Sequence, residues 1–263
     1  MSRYGRSMVD PLSTFRLDDK VVIVTGASSG LGERFARVCD SAGAKVVLAA
    51  RRIERLEALA GELSNAVAVQ ADFSTDDAAP LVIEAALGEF GAIDVLVNNA
   101  GIGRVLRAVD DDVDGFRHEL QIDLVAPYDL ACRAAKWMIE NGRTGSVVNI
   151  ASVLGKVGGG RMPMPGYAAA KGGLVQLTRE LGSEWARKGV RVNAIGPGFF
   201  ETEMTSEAMF KDDKAMALIK TATPMGRPGD HHELDGALLY LASDASSYMT
   251  GQTLYVDGGW TIV

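Results

Sequence analysis

Val21-Val22-Ile23-Val24-Thr25-Gly26-Ala27-Ser28-Ser29-Gly30-Leu31-Gly32 is the stretch that decides the fold of this 263-residue chain. Four consecutive apolar residues describe a strand buried on both faces, as in a parallel sheet, rather than a half-exposed one. The glycines that follow permit a tight turn, and residues 33–41 have helical length and spacing. A strand, a tight turn and a helix in that order begin a parallel crossover unit.

The rest of the chain repeats the pattern. Apolar runs at 46–49, 67–69, 93–97, 147–150, 190–195 and 254–256 alternate with helical patterns at 53–63, 80–90, 112–140 and 166–188. No linker divides them. The reading is α/β: a single domain over residues 17–263, a doubly wound parallel sheet of about seven strands, preceded by a flexible arm at 1–16. Two stretches break the rhythm, the Gly- and Pro-rich 155–166 and the longer 199–220. Both leave strands at their carboxyl ends, where open α/β sheets bind ligands, so a substrate loop is expected near 199–220. Met162, Met164, Phe199, Phe200, Met204, Met209 and Phe210 in these stretches would be packing, or an adaptable apolar wall.

Composition excludes several classes. Apolar residues at 47% and charged ones at 23% exclude a disordered chain. The longest apolar runs, such as 46–50, fall far short of the ~20 residues that span a bilayer, so no membrane is expected as a partner. With 27 basic against 34 acidic residues, net charge −7, there is no basic face for nucleic acid. The opening residues, MSRYGRSMVDPL, lack the apolar core of a secretory signal, which makes the cytoplasm the expected location. Cys39 and Cys132 have no metal or redox spacing and read as two buried thiols. His231 and His232 are adjacent and point apart, and His118 lies on a charged helix face, so no metal site is expected.

Gly26, Gly30 and Gly32 let backbone N–H groups approach a pyrophosphate at a helix N-terminus. The same residues fit the GxSxG nucleophile elbow of a serine hydrolase, with Ser28 as nucleophile and His231 or His232 as base. Against that rival, the elbow would sit on the first strand with no oxyanion loop before it. Esterase activity sensitive to Ser28→Ala would distinguish the two.

Tyr167-Ala168-Ala169-Ala170-Lys171 puts a phenol and an ammonium on one helix face, four residues apart. A nearby cation favours phenolate and lowers a tyrosine pKa from about 10, towards proton exchange with a substrate oxygen. Ser152 ends the 147–150 strand fifteen residues earlier.

With these motifs in order, the chain resembles the short-chain dehydrogenase/reductase family over nearly everything after residue 16. The resemblance rests on TGASSGLG at 25–32, NNAG at 98–101, Ser152, YAAAK at 167–171, Pro197-Gly198 with Thr202, and Val256-Asp257-Gly258-Gly259. It implies a Rossmann-type fold and an oxidoreductase that interconverts a secondary alcohol and a ketone. Tyr167 would be the general acid/base, Ser152 the partner of the substrate oxygen, and Lys171 the group that lowers the tyrosine pKa and holds the nicotinamide ribose. Cofactor contacts would come from Gly26, Ser28, Ser29, Gly30, Leu31 and Gly32, from Asp72 and Phe73, and from Asn99, Ala100 and Gly101 with Asn98 beside them. Pro197, Gly198 and Thr202 would meet the nicotinamide end. One position departs: Gln121-Ile122-Asp123-Leu124 carries aspartate where the family usually has asparagine. Asp123 could serve through its backbone carbonyl, or its carboxylate could pair with Lys171 and blunt its effect on Tyr167.

Cofactor choice is read from the end of the second strand. Ala50 stands where NAD-users place a carboxylate, and Arg51 and Arg52 follow, offering paired donors to a phosphate. NADP(H) is expected to be preferred, with Arg51 as the main phosphate partner and NAD(H) still possible. The subgroup stays open between 3-oxoacyl-carrier-protein reductase-like members and sugar- or polyol-oxidising ones. A catalytically silent dinucleotide-binding protein is the alternative that Asp123 keeps in view. The resemblance also implies a homo-oligomer, tetramer or dimer, packed through the long helices.

Overall fold

The computed structural model describes residues 10–160, 162–206 and 210–263. Most of the expected N-terminal arm and Met209 lie outside the described residues. Seven strands form one sheet: β1 (Val21–Thr25), β2 (Lys45–Ala50), β3 (Ala66–Gln70), β4 (Val95–Asn98), β5 (Gly145–Ile150), β6 (Val190–Pro197) and β7 (Thr253–Val256). Their order is β3-β2-β1-β4-β5-β6-β7, and every pairing is parallel. The chain winds outward from β1 in one direction and then from β4 in the other. The crevice beyond the carboxyl ends of β1 and β4 is therefore the topological switch point.

The continuous apolar runs are explained by helices on both faces. Along β1, Val21 and Ile23 face one layer and Val22 and Val24 the other. The first layer is built by α3 (Ala78–Phe90), α5 (Ala126–Glu140) and α6 (Pro165–Trp185), through residues such as Val82, Leu130, Met138 and Trp185. The second is built by α1 (Gly30–Ser41), α2 (Ile53–Glu62) and α9 (Asp235–Ala242), through Phe35, Leu56 and Leu238. Strands β3 and β7 are only half-buried, because each stands at an edge of the sheet. Cys39 is buried and burial pushes its thiol up to about 12, whereas Cys132 is half-buried; both are free.

Two boundaries differ from the sequence reading. The strand expected from Ile93 begins at Val95, because Asp94 turns inward and accepts the Val21 N–H at 2.9 Å. The helix expected over 112–140 is three segments: α4 (Val113–Leu120), a π-helical turn at Gln121–Val125, and α5. A π turn inserts one extra residue per turn and shifts which side chains face inward. Here it carries Asp123 into the interior, at 0% exposure. The long excursion after β6 holds the single turn α7 (Glu203–Thr205) and the helix α8 (Asp213–Ala222).

Candidate active site

Strand β1 hands the chain to the glycine turn, and the end of β4 is pinned against it. The Thr25 hydroxyl accepts from the Asn99 and Ala100 N–H groups, each at 2.9 Å, while Asn99 Nδ2 donates to the Thr25 carbonyl at 2.8 Å. Gly32 is required by this closeness: a Cβ there would lie 2.2 Å from the Gly26 carbonyl oxygen. Gly26 and Gly30 have φ of +68° and +58°, which L side chains rarely adopt. Ser29 caps α1 through its backbone without a side-chain hydrogen bond, so the N–H groups of the first turn face the cleft.

One continuous cleft runs from this turn to Tyr167. Its walls include Gly26, Ser28, Ser29, Gly30, Leu31 and Gly32, then Arg51, Arg52, Asp72 and Phe73 at the β2–β3 end. Asn99, Ala100 and Gly101 form the middle, and Ser152, Tyr167, Lys171, Pro197, Gly198 and Thr202 the far end. Ala50 lines it as well, as do Phe200 and Met204, which were expected as packing or an apolar wall; Ile102 and Glu203 are lining residues that the sequence reading missed. Met204 has a legible signal, an apolar side chain two residues after Thr202. Ile102 and Glu203 have none.

The far end is built on β5, α4, the π turn and α6. Ser152 follows β5 in extended conformation, and its Oγ accepts from the Leu154 N–H at 3.1 Å, capping a 3-10 turn at Val153–Gly155. Tyr167 and Lys171 are four residues apart on α6, with Lys171 Nζ 5.4 Å from the centre of the tyrosine ring. Lys171 Nζ donates to the Ile150 carbonyl at 3.0 Å and lies 3.1 Å from the Asp123 carboxylate. The second Asp123 oxygen accepts from the Ile102 N–H at 3.2 Å. The carboxylate pairing expected for Asp123 is therefore made. Gly101 makes room for it, since a Cβ there would come within 2.4 Å of Asp123 Oδ1.

The electrostatics correct one expectation. Burial pushes the Tyr167 phenol above its ordinary value; Lys171 opposes that, Asp123 adds to it, and the Ser152 hydroxyl opposes it. The net shift is upward, because burial outweighs the Lys171 cation that was expected to bring the tyrosine down, and Asp123 offsets part of that cation. Burial alone would push Lys171 down, but Asp123 and then Tyr167 hold its ammonium above the usual lysine range. Asp123 is itself raised by burial, against the pull of Lys171.

Three further assignments change. Asn98 does not reach the cleft: its amide donates to the Pro127 carbonyl at 3.1 Å and to Asn149 Oδ1 at 2.9 Å. The hydrolase rival is not favoured, since among the described residues Ser28 Oγ is bonded to Arg52 Nε and Nη2, at 3.1 and 2.9 Å, and to no histidine. His231 Nε2 meanwhile donates to the Glu201 carbonyl. Finally, Arg52 rather than Arg51 turns into the glycine loop, also donating to Ser29 Oγ at 2.7 Å. Arg51 is exposed, its carbonyl accepts from Gln70 Nε2, and its charge helps hold Asp72 low after the Ser74 backbone and hydroxyl. Among the described residues no cluster could hold a metal ion, and no helix is long and apolar enough to cross a membrane.

The residues present fit a dinucleotide. A helix N-terminus without a side-chain cap faces the diphosphate position, a guanidinium stands at the adenosine end, and an ammonium stands beside the tyrosine at the other. A family model described as enoyl-(acyl carrier protein) reductase matches residues 26–261. The chain is 37% identical to 2-dehydro-3-deoxy-D-gluconate 5-dehydrogenase of Escherichia coli (strain K12), covering 95% of this chain and 98% of that one. A short-chain type dehydrogenase/reductase from Mycobacterium marinum superposes with a TM-score of 0.92 at 33% identity, covering 97% and 100% of the two chains. A gluconate 5-dehydrogenase from Burkholderia cenocepacia J2315, solved in complex with NADP and tartrate, superposes at 0.90 with 34% identity and the same coverage.

Proposed function

The chain belongs to the short-chain dehydrogenase/reductase family, and from that membership we propose that it is an NADP(H)-dependent oxidoreductase interconverting a secondary alcohol and a ketone. The observation that carries this reading is the shared cleft: Ser152, Tyr167 and Lys171 at one end, the glycine turn and Arg52 at the other.

When bound, the nicotinamide supplies or accepts the hydride. The chain's own residues handle the oxygen and the proton. Tyr167 Oη gives its proton to the ketone oxygen in reduction and takes it back from the alcohol in oxidation. Ser152 Oγ donates a hydrogen bond to that same oxygen and fixes its position. Lys171, held by the Ile150 carbonyl and Asp123, stabilises the phenolate that forms and reaches the ribose side of the cleft. Arg52, with Ser28 and Ser29, holds the adenosine 2′-phosphate, and Arg51 adds a weaker long-range attraction. Asp72 and Phe73 border the adenine, Asn99 to Gly101 the adenosine ribose, and Pro197, Gly198 and Thr202 the nicotinamide.

For the substrate, we favour a small hydroxylated alcohol, a sugar acid or polyol, on the strength of the relatives' names. One observation supports a second reading, a less polar ketone such as a 3-oxoacyl chain. A Cβ on Gly103 would lie 2.6 Å from Met164 Cε, 3.3 Å from Tyr167 Cδ2 and 3.6 Å from Met204 Sδ, so two thioethers flank the phenol. The working form would be a homotetramer or dimer in the cytoplasm, with exposed Val113, Val125 and Tyr128 on the α4–α5 face available for packing.

The test is absorbance at 340 nm with two panels: sugar acids and polyols with NADP⁺, and acyl and simple ketones with NADPH. Turnover confined to one panel chooses the substrate class. Cofactor binding with no turnover in either panel would return the chain to the silent dinucleotide-binding alternative.

A further inference from the structure

Arg52 has a second partner besides the serines of the glycine turn. Its Nη1 donates to Glu203 Oε2 at 2.8 Å, and the neighbouring Arg55 donates to the other oxygen, Oε1, at 2.7 Å. Glu203 lies on the far side of the cleft, in the segment after β6, and its carboxylate crosses to the β2 end. The crossing is geometrically fixed. Thr202 and Thr205 cap each other's backbone at 2.9 and 3.3 Å, and Thr205 Oγ1 donates to the Phe200 carbonyl at 2.9 Å. The Thr202 side chain packs over Gly30, where a Cβ would sit 3.5 Å from it.

One carboxylate oxygen thus occupies Arg52 Nη1 and the other Arg55 Nη1, N–H donors that a phosphate dianion beside Arg52 would use. Both ligands are oxygen anions, both match the planar fork of arginine, and Arg52 has only five N–H donors to share. Three of its nitrogens are already committed, Nε and Nη2 to the serines and Nη1 to Glu203. Putting a dianion beside an unmoved carboxylate also sets like charges against each other. Arg55, and then Arg52, hold the Glu203 carboxyl down at about 2, so it stays charged throughout the working pH range and only another anion displaces it.

We propose that Glu203 is a carboxylate latch, bound to Arg52 until the adenosine 2′-phosphate of NADP(H) takes its place. The proposal rests on the NADP(H) reading above and adds a residue that opposes it. NAD(H), lacking the phosphate, leaves the latch closed. NADP(H) releases it, and the segment that Glu203 anchors over Gly30 is freed only by the phosphorylated cofactor. The latch lowers the affinity for NADP(H) by the worth of a partly exposed ion pair, and so it also hastens cofactor release.

The experiment uses 2′,5′-ADP and 5′-AMP as probes, which differ only in the phosphate, measured by calorimetry on the full chain. Unmodified protein binds 2′,5′-ADP more tightly. Glu203→Gln tightens 2′,5′-ADP by about fivefold, the upper range for an exposed pair, and leaves 5′-AMP within about twofold. The gain shrinks in high salt. Arg52→Ala removes both the preference and the effect of Glu203→Gln. If Glu203→Gln leaves 2′,5′-ADP unchanged or weakens it, Glu203 is a strap that orders Arg52 rather than a competitor, and the latch is wrong. If unmodified protein binds both probes alike, the NADP(H) reading itself fails and takes the latch with it.

Discussion

Lys171 and Asp123 form an ion pair of 3.1 Å in the interior, their side chains 4% and 0% exposed. The pair joins the proposed acid/base helix to the π turn, at a position where the family's pattern has asparagine. A buried pair gains little net stability, because desolvation of two charges offsets their attraction. Its consequence is on the tyrosine, since the charge that should stabilise phenolate is partly cancelled.

The first prediction concerns pH. With the phenol above its ordinary value, Tyr167 is protonated at neutral pH. Ketone reduction, which needs the proton, should be level there and fall only in the alkaline range. Alcohol oxidation, which needs phenolate, should climb with pH over the same range. Asp123→Asn removes a negative charge near the phenolate, so both limbs should move to lower pH. Unmoved profiles would show that the carboxylate does not act on Tyr167.

Tyr167→Phe deletes one oxygen and should cut kcat by about 10²-fold or more, with cofactor affinity little changed. Lys171→Ala should weaken cofactor binding as well as turnover, and it leaves Asp123 buried without its cation. Rapid-mixing turnover and fluorescence titration separate the two. A Tyr167→Phe variant that keeps most of its activity would overturn the proton assignment.

For cofactor choice, Arg52→Ala should lower kcat/KM for NADPH by about tenfold, roughly 1.4 kcal/mol, and barely alter that for NADH. Arg51→Ala should cost less, since Arg51 is exposed and does not touch the serines of the turn. The sequence reading placed the larger effect on Arg51. Steady-state kinetics with both cofactors decides between the two arginines.

A pair of glycines tests the turn. Gly32→Ala would bring a Cβ to 2.2 Å from the Gly26 carbonyl, so the turn must shift, at about 1–3 kcal/mol and with loss of cofactor binding. Gly88→Ala lies in α3 with nothing within 4 Å of the new methyl. It should stabilise the fold by about 0.4–1 kcal/mol, mainly by restricting the unfolded chain. Urea unfolding of both variants, with the unmodified protein as reference, reads the contrast.

Short-range order carried the part of this fold that is legible in the amino-acid sequence. The apolar runs encode the strands, because a parallel sheet buries both faces and most side chains of a central strand are therefore apolar. The glycine spacing encodes the turn, and the four-residue step from Tyr167 to Lys171 encodes their shared face. These are properties of a few consecutive residues, and they survive without knowledge of what packs against them. Which distant groups meet depends instead on how the layers pack. A π turn brings Asp123 to Lys171 across 48 residues, and the excursion after β6 lays Glu203 on Arg52 across 151. At the end of β2, backbone direction selects Arg52 over Arg51 for the glycine turn, though the two are neighbours in sequence. Side-chain direction at a strand end and electrostatic partnership between separate elements depend on how the layers pack, and no local pattern of residues records that.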